Sequence, residues 1–129
     1  MATVEHQVRI ARPADEVWEV LGDFWGLAEW FPGIENCEKT NDDIRTIRMG
    51  NIAIDEQLLE RDDAARSFAY TIAKSPMPLE FHRAEWSVAE EGDGSLLTVR
   101  AEVLPDDAMS LMGPVYEQAA EGLRQHLEG

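Results

Sequence analysis

A single thiol, Cys37, is all the sulfhydryl chemistry this chain holds, so no internal disulfide is available and no paired cysteines exist to bind zinc or run redox exchange. A lone cysteine in a predicted strand reads as a small buried hydrophobe. Basic residues are also scarce: 11 Lys and Arg face 26 Asp and Glu, for a formal net charge of −15. Nucleic-acid binding draws its affinity from Lys and Arg neutralising phosphates, so this balance argues against it and against anionic membrane surfaces. No run approaches the roughly 18 apolar residues of a membrane span, and the opening Met1-Ala2-Thr3-Val4-Glu5 lacks a basic and then apolar leader, so a cytoplasmic protein without membrane insertion is expected. His6, His82 and His126 stand at no metal-ligand spacing, and neither HExxH, GxGxxG, a Walker motif nor a nucleophile elbow occurs. No metal and no cofactor are therefore expected.

The 129 residues correspond to one domain, 1–129, large enough to bury on the order of two thirds of its unfolded surface. Thr3–Ile10 alternates Val4, His6, Val8 and Ile10 against polar residues, the period of a strand with one buried face. Pro13, Asp15 and Glu16 then open a short helix that ends at Gly22, and an aromatic-rich second segment, Phe24–Phe31, is closed by Pro32-Gly33. Six strands follow with short turns between them: 34–40, 44–49, 52–61, 67–74, 81–90 and 95–104. After Pro105, Asp106 or Asp107 is placed to cap a long helix whose stripe is Met109, Met112, Tyr116, Ala119, Leu123 and Leu127, with Gly113-Pro114 expected to kink or restart it. The order predicts an α+β fold: a seven-stranded curved antiparallel sheet wrapped around a long C-terminal helix, two short helices lying between the first and second strands.

Turn chemistry sets the register. Gly50-Asn51 suits a two-residue type II′ hairpin, which opposes Met49 with Ile52, Ile47 with Ile54 and Arg45 with Glu56. Those alternate pairs share the inward, apolar face, carrying Arg45 and Glu56 inside with Ile47, Ile54 and Leu58. Counting back from the Glu91–Gly94 turn opposes Trp86 with Val99 and His82 with Val103, a face that is apolar apart from His82. Tyr70 and Lys74 follow the bulky side of the preceding strand. In a meander, alternate turns share one end, so Gly50-Asn51 and Ser75–Pro78 should meet the start of the last helix, with Met109 and Met112, to form a mouth. Lys74 and His82 are expected at its rim, and Arg45, Glu56 and Tyr70 deeper. Trp30, Ile47, Ile54, Trp86, Val99, Met109, Met112 and Tyr116 complete the candidate ligand-binding wall.

Gln57-Leu58-Leu59-Glu60-Arg61-Asp62-Asp63-Ala64-Ala65-Arg66, Tyr70-Thr71-Ile72, Ser75-Pro76-Met77-Pro78, Trp18 and Trp30-Phe31-Pro32-Gly33 resemble the bacterial polyketide cyclase/dehydrase-like branch of the SRPBCC (START-like, birch-pollen-allergen-like, helix-grip) superfamily. The resemblance covers essentially the whole chain and implies a hydrophobic cavity between sheet and last helix; members bind lipids or hormones, or cyclise or dehydrate polyketides. A likeness to plant abscisic-acid receptors also exists. His82-Arg83-Ala84 resembles their latch and Glu56 aligns with their pocket glutamate, but the gate stands as Met49-Gly50-Asn51-Ile52-Ala53 without its proline, and Glu35 replaces their pocket lysine. The favoured reading is binding of a small aromatic, polyketide- or terpenoid-like molecule by a monomer or homodimer. The alternatives are a cyclase, dehydratase or lyase using His82 or Glu56 as acid or base, and a partner-binding module whose cavity is filled by its own aromatics.

Overall fold

The computed structural model describes residues 1–129. In chain order it contains β1 (Ala2–Ile10), α1 (Ala14–Leu21), a 3₁₀ turn (Leu27–Glu29), β2 (Asn36–Lys39), β3 (Ile44–Met49), β4 (Ile52–Asp62), β5 (Ser67–Lys74), β6 (Phe81–Glu91), β7 (Gly94–Leu104), a second 3₁₀ turn (Asp106–Ala108) and α2 (Met109–Glu128). All seven strands join one antiparallel sheet in the order β1-β7-β6-β5-β4-β3-β2. Strands β2 to β7 form the meander that the turns predict, and β1 returns to pair with β7 along its full length.

The hairpin registers follow the turns. Gly50 adopts φ +58°, the conformation required at the first position of a type II′ turn, and Met49 opposes Ile52, Ile47 opposes Ile54 and Arg45 opposes Glu56. His82 opposes Val103 and Trp86 opposes Val99 across β6 and β7. Two irregularities in the β4–β5 ladder, between Asp55 and Glu56 and between Leu58 and Glu60, bend the sheet, because an unpaired residue on one strand raises local twist. The buried face carries Val8, Ile10, Trp86, Val88, Leu97, Val99, Ala101 and Val103 in one continuous cluster with α1 and α2.

Several local expectations differ. The aromatic segment after Gly22 makes only a single 3₁₀ turn, since Phe24, Leu27 and Trp30 are anchored in the core rather than on a helical stripe. Strand β2 is four residues long, with Ile34 left outside it. Cys37 is half-buried on β2, not fully enclosed. No side chain caps α2; Asp106 instead accepts the N-terminal ammonium at 3.1 Å. Helix α2 neither restarts nor ends at Pro114: it is continuous from Met109 to Glu128. Pro114 lies early in the helix, where the carbonyl released by its missing N–H belongs to exposed Ser110.

Helix α2 packs most closely on β1 and β7. Gly122 allows the loop after the 3₁₀ turn to cross the helix, since a Cβ there would stand 2.6 Å from Pro32 Cδ. With the helix set against one half of a curled sheet, a space remains over the other half.

Candidate functional site

That space is a cavity of about 300 Å³ bounded by β3, β4, β5, Trp86 of β6, α2 and the Leu27–Ile34 segment; 19 of its 23 lining residues are hydrophobic. Neither β1 nor β7 contributes to it, because α2 covers them directly. Its volume lies at the lower end of the range typical of small-molecule sites, roughly 300–1,000 Å³. The cavity reaches the surface where Ile52 of the β3–β4 hairpin meets Leu111 and Val115 of α2, three apolar side chains that are 45%, 69% and 41% exposed. Ser75, Pro76 and Met77 complete that rim. The mouth thus joins the three elements that alternate-turn geometry brings together, with the Gly50-Asn51 hairpin, the Ser75–Pro78 link and the first turns of α2 at one end.

At the inner end the wall turns polar. Arg45 and Glu56, buried on adjacent strands, form an ion pair in which Arg45 Nε and Nη2 stand 2.8 and 2.7 Å from Glu56 Oε1. Arg45 Nη1 donates to the carbonyl of Phe24 at 2.7 Å, and its guanidinium lies 3.9 Å over the Phe24 ring and 5.1 Å from that of Tyr70. Burial of two charges costs several kcal/mol, recovered only when geometry and further hydrogen bonds are good. Here the arginine is well served, whereas Glu56 Oε2 has no hydrogen-bond partner within the protein. Desolvation raises the Glu56 pKa above its ordinary value, with Arg45 opposing the shift. The same burial, reinforced by the Glu56 charge, pushes the Tyr70 phenol up.

The structure brings Arg45, Glu56, Tyr70, Trp30, Ile47, Ile54, Trp86, Met112 and Tyr116 to the cavity wall. It places four other candidates elsewhere. Lys74 is exposed and off the rim: Ala73 is the extra residue of a bulge, so Lys74 pairs with Asp55 on the outer face instead of following Tyr70 and Ile72 inward. Val99 is fully buried in the part of the sheet that α2 covers. Met109 packs on the core beside Gly113, and Leu111 and Val115 occupy the mouth in its stead. His82 is not at the rim but buried behind Tyr116, its Nε2 2.6 Å from the Tyr116 hydroxyl. With no charged partner, desolvation lowers its pKa to about 4, so it is neutral at pH 7. The sequence reading did not assign Leu21, Leu27, Ile34, Leu111 or Val115 to the wall; of these, Leu111 and Val115 carry one signal, being apolar at i and i+4 on α2 yet off its buried stripe.

Comparison with known proteins agrees with this architecture. The family described as polyketide cyclase / dehydrase and lipid transport matches residues 1–128. Among solved structures, the protein XoxI from Bacillus cereus superposes with a TM-score of 0.91 at 24% identity, covering 99% of this chain and 97% of its own. A START superfamily protein from Mycobacterium smegmatis gives 0.83 at 17% identity, over 98% and 97% of the two chains. The Zhui aromatase/cyclase from a Streptomyces species gives 0.74 at 24% identity, over 97% and 90%. At such identities the likeness speaks to the fold. No curated protein matches the sequence. The match over nearly its entire length shows that this chain belongs to the polyketide cyclase/dehydrase and lipid transport family.

Proposed function

We propose that the protein binds a small, mainly apolar molecule, aromatic or polyketide- or terpenoid-like, in the cavity between sheet and helix. The single observation that carries this reading is the combination of a largely hydrophobic wall with a compact polar end made by Arg45, Glu56, Tyr70 and Tyr116. An apolar skeleton gains by leaving water, about 25 cal/mol per Å² buried, while a few fixed polar groups set its orientation. The family description, which spans cyclisation, dehydration and lipid transport, supports a hydrophobic cargo.

The test is binding of the neutral fluorophore N-phenyl-1-naphthylamine, followed by its emission. Ala119 lines the cavity and is 1% exposed, so enlarging it fills the space from within. Ala119→Leu should weaken binding about tenfold or more, a change of about 1.4 kcal/mol per decade. Unchanged affinity in a variant with native near-UV circular dichroism would place the probe elsewhere and reject the reading.

A second reading, acid–base chemistry on the bound molecule, is favoured by Glu56, whose free Oε2 and raised pKa suit a proton carrier at the cavity's inner end. His82 is separated from the cavity by Tyr116 and does not share that role.

A further inference from the structure

The β5–β6 ladder pairs only Ser67–Tyr70 with Ala84–Ser87, and beyond it the His82 ring takes the place of a backbone partner. The Ile72 N–H donates to His82 Nδ1 at 3.1 Å, and Thr71 Oγ1 donates to the His82 carbonyl at 2.6 Å. A nitrogen that accepts from an amide carries no proton, so in the neutral ring the hydrogen resides on Nε2. The groups facing the ring are the phenols of Tyr70 and Tyr116, with ring centroids at 5.7 and 6.4 Å, and no carboxylate is bonded to it. Nε2–H therefore donates to the Tyr116 oxygen at 2.6 Å. Its acceptor role thus engaged, Tyr116, which is among the residues lining the cavity, retains its own O–H hydrogen, and this has no acceptor in the protein.

We propose that His82 sets Tyr116 as a fixed hydrogen-bond donor into the cavity, so that the ligand presents an acceptor oxygen, a ketone or quinone carbonyl, at its buried end. This rests on the cavity being a ligand site and narrows the class of molecule it selects. A purely hydrocarbon ligand leaves the buried hydroxyl unsatisfied, and one whose only polar group is a donor meets another donor. Tyr116 touches the ligand; His82 acts through Tyr116 as a positioning residue.

Fluorenone and fluorene share a skeleton and differ by one carbonyl, which makes them the probes of choice. The unaltered protein should bind fluorenone about fivefold to tenfold tighter than fluorene, the ratio expected of one buried hydrogen bond. The carbonyl stretch of bound fluorenone should lie below its frequency in hexane. Tyr116→Phe should abolish both the preference and the frequency shift. Nitrogen-15 NMR of the ligand-free protein reads the positioning role directly, and should show His82 as the neutral tautomer protonated at Nε2. A proton on Nδ1, or equal binding of both probes with an unshifted carbonyl, would overturn the inference while leaving the pocket in place. Failure of both probes to bind would bring down the pocket reading and the inference together.

Discussion

Burial acts on His82 and Glu56 in opposite senses. For the imidazole, desolvation alone lowers the pKa from 6.5 to about 4. The unfolded chain then binds the proton more readily than the folded one across that window, so stability is fully present above pH 6.5 and is lost as pH falls toward 4. The shift corresponds to about 3 kcal/mol. Urea unfolding at pH 7, 5.5 and 4 should therefore show a loss of this order that His82→Gln lacks, the titrations of the other groups cancelling in the comparison. Parallel curves for the two proteins would mean that His82 is solvated. For Glu56 the neighbouring guanidinium opposes desolvation, and the net shift is upward. Its inward position was legible from the Gly50-Asn51 turn, because a two-residue hairpin leaves no freedom of register. That of Lys74 was not: one unpaired residue, Ala73, reverses every later side chain, and nothing in Ile72-Ala73-Lys74-Ser75 marks the bulge.

Among the elements, α2 decides the size and place of the cavity. It lies against β1 and β7, and the Trp30–Pro32 stretch crosses it at Gly122, where an added Cβ would meet Pro32 Cδ at 2.6 Å, Pro32 Cγ at 3.1 Å and the Trp30 carbonyl at 3.3 Å. Gly122→Ala should destabilise the fold by about 1–3 kcal/mol, in spite of alanine's higher helix propensity, because the ring and a backbone carbonyl must both move. Thermal or denaturant melts measure this, and a rise in stability would show that the crossing is loose. The same loop carries Trp30 and Phe31 into the cavity wall, so binding of a cavity probe should fall in the same variant. The helix stripe Met112, Tyr116, Ala119 and Leu123 is readable from periodicity. Which of those residues meets the sheet and which meets the cavity depends on the crossing at Gly122.

Over the whole molecule, most arginines are already paired with nearby acids, in ion pairs that are mostly exposed and individually worth about 0–1 kcal/mol. With 26 acids and 11 bases, the remainder is net repulsion. Raising ionic strength from about 0.01 to 0.15 M shortens the screening length from about 30 to about 8 Å. Melting temperature should rise by about 4 °C for each kcal/mol of repulsion relieved, with sodium chloride and potassium chloride equivalent. A fall would mean that the paired arginines outweigh the excess acids. By itself the sequence determined the strand–helix order, the hairpin registers on either side of Gly50-Asn51 and Glu91–Gly94, and the inward Arg45–Glu56 pair, because each follows from side-chain period and turn type over a few residues. Only the tertiary structure decided that β1 closes on β7, that α2 covers that edge and leaves the cavity over β3–β5, and that His82 stands behind Tyr116. These depend on contacts between residues far apart in the chain, such as His82 with Tyr116 and Pro32 with Gly122, for which local pattern carries no information.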